Sequence, residues 1–92
     1  GYGIFGGAPK AWAKLRFSAA RAQWVQQEIW HPDQKSQTLH DGRYELAVPY
    51  ADERELIGDI LRFGAEVEVV GPPRLREQVT TEVARMRGLY LR

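Results

Sequence analysis

Cysteine is absent from the 92 residues, which removes disulfides, thiolate chemistry and cysteine-based metal sites together. That usage suits a reducing cytoplasm, the compartment expected for this chain. Histidine is scarce. His31 and His40 do not stand at metal-ligand spacing from each other or from carboxylates such as Asp33 and Asp41, so neither a metal nor another cofactor is expected. No window approaches the ~20 apolar residues of a membrane span. No basic segment followed by an apolar one marks a secretory leader. There is no initiating methionine, so Gly1 reads as the edge of a longer chain. Ser18 and Ser36 lack a neighbouring base and a nucleophile-elbow context. The clustered carboxylates read as solvated faces of strands and helices. No catalytic residue stands out, and a non-enzymatic role is expected.

What the chain does have is ordinary globular composition, 43% hydrophobic and 27% charged, enough for one small domain. The net charge is only +1, but its placement is uneven. Residues 1–27 carry Lys10, Lys14, Arg16 and Arg21 and no acid. Residues 28–70 are net acidic. Residues 71–92 carry Arg74, Arg76, Arg85, Arg87 and Arg92 against Glu77 and Glu82. Two basic ends around an acidic middle either meet as a phosphate-binding patch or neutralise that middle within the fold or across a dimer.

Residues 1–10, GYGIFGGAPK, read as a linker or arm. The stretch matches GxGxxG in letters, but no strand precedes it and Gly7-Ala8-Pro9 follows, so a dinucleotide site is not supported. From Ala11 to Phe17 apolar and polar residues alternate, with Ala13, Leu15 and Phe17 inward and Trp12, Lys14 and Arg16 outward, as in a half-buried strand. Ser18 then caps a helix over residues 19–27, with Ala22, Val25 and Ile29 on its apolar side. Pro32 ends that segment. Ser36–His40 and Arg43–Tyr50 read as a hairpin closed by the two-residue turn Asp41-Gly42, pairing His40 with Arg43 and Leu39 with Tyr44. Asp52 with Glu55 starts a second helix, which Gly64 closes. Glu66–Val69 alternates as a strand. Pro72-Pro73 opens a last helix whose stripe is Leu75, Val79, Val83, Met86 and Tyr90. The order β-α-β-β-α-β-α implies an α+β, ferredoxin-like βαββαβ sheet with an additional C-terminal helix.

Such a sheet leaves one face open. Its expected outward residues are Trp12, Lys14 and Arg16, then Arg43, Glu45 and Ala47, then Glu66 and Glu68. One aromatic among alternating charges makes a poor base-stacking platform of the RNA-recognition kind, and cross-strand ion pairs explain the pattern better. An acylphosphatase-like enzyme shares the element order and needs an arginine in a phosphate-cradling loop after the first strand. Phe17–Arg21 offers the arginine without the glycine loop. Trp30-His31-Pro32-Asp33-Gln34 reads either as a partner contact or as a tryptophan closing the core.

At these residues the chain resembles a known family. "LRFS" at 15–18, "WHPDQ" at 30–34, "DGRYELAVPYAD" at 41–52, "ELIGDILRFGAEVEV" at 55–69 and "PPRLREQV" at 72–79 are similar to the C-terminal extension, or WCX domain, of bacterial WYL-domain transcription regulators. The resemblance implies that residues 1–10 are a linker or the tail of a preceding WYL domain, and that residues 11–92 are a WCX-type ferredoxin-like domain. It implies a regulatory and dimerisation module that contributes to sensing a nucleic-acid or small-molecule effector. DNA would be met through a helix-turn-helix outside this sequence. The alternative is a stand-alone small-molecule-sensing βαββαβ module. The candidate effector or phosphate contacts are Lys14, Arg16, Trp30 and His31. The first two are outward basic residues of the first strand, and the others belong to the polar-aromatic cluster.

Overall fold

A computed structural model describes residues 11–91; the expected linker at 1–10 lies outside the described residues. The elements are β1 (Ala11–Phe17), α1 (Ala19–Val25), β2 (Lys35–Thr38), β3 (Tyr44–Tyr50), α2 (Glu53–Arg62), a 3-10 turn (Gly64–Glu66), β4 (Val67–Gly71) and α3 (Pro73–Tyr90). The four strands form one antiparallel sheet in the order β2-β3-β1-β4. This α+β layer is consistent with the ferredoxin-like type. Among the described residues no helix is long and apolar enough to cross a membrane.

The core lies on one side of the sheet. Alternation points Ala13, Leu15 and Phe17 of β1 and Tyr44, Leu46, Val48 and Tyr50 of β3 into it, against Ala22 and Val25 of α1 and Leu56 and Ile60 of α2. Phe63 and Trp30 complete an aromatic group around Phe17, with ring centroids 5.2 and 5.9 Å from it in edge-on contacts. Local signals set the helix ends. Ser18 Oγ accepts from the Arg21 amide, Asp52 accepts from the Arg54 amide, and Gly64 takes φ 57 just past α2. Pro49 sits within β3 because β2 reaches only as far as Ala47. Its missing N–H therefore falls on the β2 side of the strand, past the last β2–β3 pair, while Pro49 still stands opposite Trp12 of β1.

Several expectations are corrected. The first helix ends at Val25 rather than Gln27, and Ile29 is 80% exposed instead of lying on the apolar side. Glu66 belongs to the 3-10 turn, so β4 begins at Val67. The hairpin register is shifted by one residue: Thr38 pairs with Tyr44, Gln37 with Glu45 and Lys35 with Ala47. A two-residue turn of the expected kind requires positive φ at both Asp41 and Gly42, and here only Gly42 adopts it, at 91°. The chain instead closes over His40–Gly42. The Gly42 amide donates to the Leu39 carbonyl at 2.9 Å, and the Leu39 amide donates to the Arg43 carbonyl at 2.7 Å. The stripe of α3 also divides. Leu75 is fully buried and Val79 packs against the core, while Val83, Met86 and Tyr90 are exposed.

Gly42 tests the turn. A Cβ there would meet the Ala19 Cβ at 3.3 Å in addition to the left-handed backbone. Gly42→Ala is expected to lower stability by about 1–2 kcal/mol, read from the midpoint of urea unfolding at unchanged slope.

Candidate functional site

The face of the sheet away from the core is built in rows, because residues paired in register across strands stand side by side on one face. One row runs Glu68, Arg16, Glu45, Gln37 across all four strands. Arg16 donates from Nε and Nη2 to Glu45 Oε2 at 2.9 and 2.7 Å, and Gln37 Nε2 donates to Glu45 Oε1 at 3.0 Å. Both oxygens of Glu45 are thus engaged, and the residue is buried although it lies on the open face. The hydrogen bonds from Gln37 and Arg16 hold its carboxyl below the usual glutamate range against the opposing effect of burial. At the sheet edge Arg76 Nη1 donates to Glu68 Oε2 at 2.8 Å and to the Val69 carbonyl at 2.7 Å. The hydrogen bond from Arg76 holds the Glu68 carboxyl low as well.

The next row runs Gly71, Lys14, Ala47, Lys35. Neither neighbour of Lys14 has a long side chain, and a shallow groove of ≈ 200 Å³ lies there, lined by Lys14, Lys35, Ser36, Gln37, Glu45 and Ala47. Trp12, 46% exposed, stands beside it, with Lys35 Nζ 5.3 Å from its ring centroid.

The four candidate contacts do not converge. Lys14 and Arg16 share the open face, but Arg16 is committed to Glu45. Trp30 is buried on the core side, stacked on Phe63 at 5.8 Å. His31 belongs to a loop knot beside it. Gln34 Oε1 accepts from the Trp30 and His31 amides at 2.6 and 3.2 Å, Gln34 Nε2 donates to the Glu28 carbonyl at 3.1 Å, and His31 Nδ1 accepts from the Asp33 amide at 3.0 Å. The WHPDQ segment therefore closes the core and ties its own loop. Arg21, the arginine of the acylphosphatase-like alternative, lies over the rings of Trp24 and Phe63 at 5.8 and 5.4 Å. Among the described residues no three or more His, Cys, Asp or Glu gather in a metal-binding group.

Lys35 and Gln37 were not among the sequence candidates. With the two-residue turn, Gln37 would oppose Leu46 on the core side and Lys35 would turn inward. A one-residue slip reverses every side chain of a strand. The usable signal was Glu45, a carboxylate in the middle of a strand that needed more than one donor.

These features define a small α+β module with a charge-paired open sheet face and a basic groove. Residues 9–87 match the family model described as the WCX domain, and the chain belongs to that family. No curated protein matches it.

Glu45 makes the module sensitive to acid. Its folded carboxyl titrates below its unfolded value, so the stabilisation is complete above about pH 4.3 and is lost as pH falls through the depressed folded value. Arg16→Met removes two charge-assisted hydrogen bonds and is expected to cost about 1.5–3 kcal/mol at pH 7. The gap between variant and wild type narrows below pH 4 in urea unfolding followed by circular dichroism.

Proposed function

We propose that this chain is the C-terminal regulatory and dimerisation module of a WYL-type, helix-turn-helix transcription regulator, working in the cytoplasm and not as an enzyme. The observation that carries the reading is the WCX match over residues 9–87. The ferredoxin-like layer fits it, with a one-sided core and an open face free to meet a neighbouring domain or effector. In such a regulator an effector bound against this face shifts the balance between two arrangements of the dimer, and so the spacing of two DNA-reading domains on their half-sites.

Self-association is assigned to α3. Val79, Val83, Met86 and Tyr90 recur at spacings of four, three and four residues, the spacing of a coiled-coil seam. The seam continues directly from the part of the helix that packs on the core. Beyond it Val83 is 50% and Met86 42% exposed, apolar side chains whose burial against a second copy of the same helix gives an isologous twofold contact.

Light scattering after size-exclusion chromatography tests this at about 100 μM chain, where concentration favours assembly. The wild type is expected to run as a dimer, and Val83→Glu combined with Met86→Glu as a monomer with unchanged circular dichroism. A monomeric wild type overturns the dimerisation role. In the full-length protein, the same double variant is expected to weaken operator binding.

A further inference from the structure

The geometry points to a ligand site in the Lys14–Lys35 groove: a phosphate-bearing ligand with a planar ring, of the nucleoside monophosphate class, held by the two ammonium groups and lying against Trp12. The inference rests on the effector-sensing reading above and names the ligand chemistry for it. Lys14 and Lys35 stand in one row on β1 and β2 with Ala47 between them. Their backbones are two strand spacings apart, roughly 9.6 Å. Both side chains line the same groove, and its floor at Ala47 is a single methyl group. Both stems are long enough and flexible enough for their ammonium groups to meet one phosphate laid over that floor.

Neither lysine forms an ion pair among the described residues, and on the open face of the sheet Arg16 and Arg43 both do. The one carboxylate lining the groove, Glu45, already has Arg16 on one oxygen and Gln37 on the other. Arg16, Lys14 and Lys35 set three cations against that one carboxylate, and Lys14 also acts on it through space, so the groove keeps a net positive charge. Lys35 is also held over the Trp12 ring, which places an aromatic surface and a cation side by side at the rim. An anion satisfies the lysines, and a base adds stacking area on an indole that is 46% exposed. The groove is shallow, so most of the binding comes from charge and falls with ionic strength.

The test is an amide and indole NMR titration of the whole chain at low salt with adenosine monophosphate, inorganic phosphate and adenosine as separate probes. Adenosine monophosphate is expected to shift the resonances of Lys14, Lys35, Ala47 and the Trp12 indole with saturation, and to bind more tightly than phosphate, with adenosine weakest. Lys14→Gln combined with Lys35→Gln, both at exposed positions, is expected to weaken nucleotide binding by about tenfold or more, that is ~1.4 kcal/mol. Trp12→Leu is expected to reduce adenosine monophosphate to the level of phosphate. Absence of saturable shifts, adenosine binding as well as its monophosphate, phosphate binding as well as the nucleotide, or full binding by the double lysine variant would each overturn the assignment. Light scattering on the same samples reads self-association separately, so loss of the ligand site and loss of the dimerisation role remain distinguishable.

Discussion

The arrangement of the open face hangs on the backbone of one residue. Gly42 takes φ 91, and no non-glycine among the described residues has a positive φ. With one left-handed position available instead of two, the β2–β3 connection closes over three residues, and Thr38 faces Tyr44. That register turns Lys35 and Gln37 outward. Gln37 then reaches Glu45 and Lys35 reaches the rim beside Trp12. A hairpin paired one residue differently would send both side chains toward the core. Glu45 would lose one of its donors, and the groove would lose one of its two cations.

The buried carboxylate of Glu45 is the second constraint. A charge taken this far out of water is tolerable only with its hydrogen bonds made. Arg16 and Gln37 make them from the two neighbouring strands, so the ion pair also reports that three strands are in register. Arg16 is thereby committed to structure rather than recognition, and the cations left for a ligand are the lysines one row away. Arginine suits the paired position, because its planar fork matches a carboxylate. A flexible ammonium suits the groove.

Much of this was legible in the sequence. Period-two alternation gave β1 and its outward residues, proline and capping signals bounded α2 and α3, and the element order followed. The site was legible only in part. Lys14 and Arg16 stood out because they lie on a strand whose faces are plain. Trp30 and His31 stood out as an unusual cluster; Gln34 of the same segment knots their loop, while the ring contacts of Trp30 with Phe17 and Phe63 that close the core lie in no short-range pattern. Lys35 and Gln37 were hidden because their side depends on the number of residues in a turn. "DG" in a hairpin is compatible with two- and three-residue loops alike, and the difference lies in whether Asp41 enters the left-handed region. The stripe of α3 was visible, but where it stops packing on its own domain depends on how far β4 and α2 extend beneath it.

Arg76 has a further consequence at the rim of the sheet. By donating to the Val69 carbonyl it occupies one of the acceptors that an outer strand offers to passing chains, and it does so from α3, which packs against β4. The opposite border is β2, four residues long and opened by a lysine. A short, charged ribbon and an edge acceptor already taken both discourage strand-to-strand addition. Growth of the layer by lateral strand addition, the route toward fibrils, is thereby disfavoured at both margins.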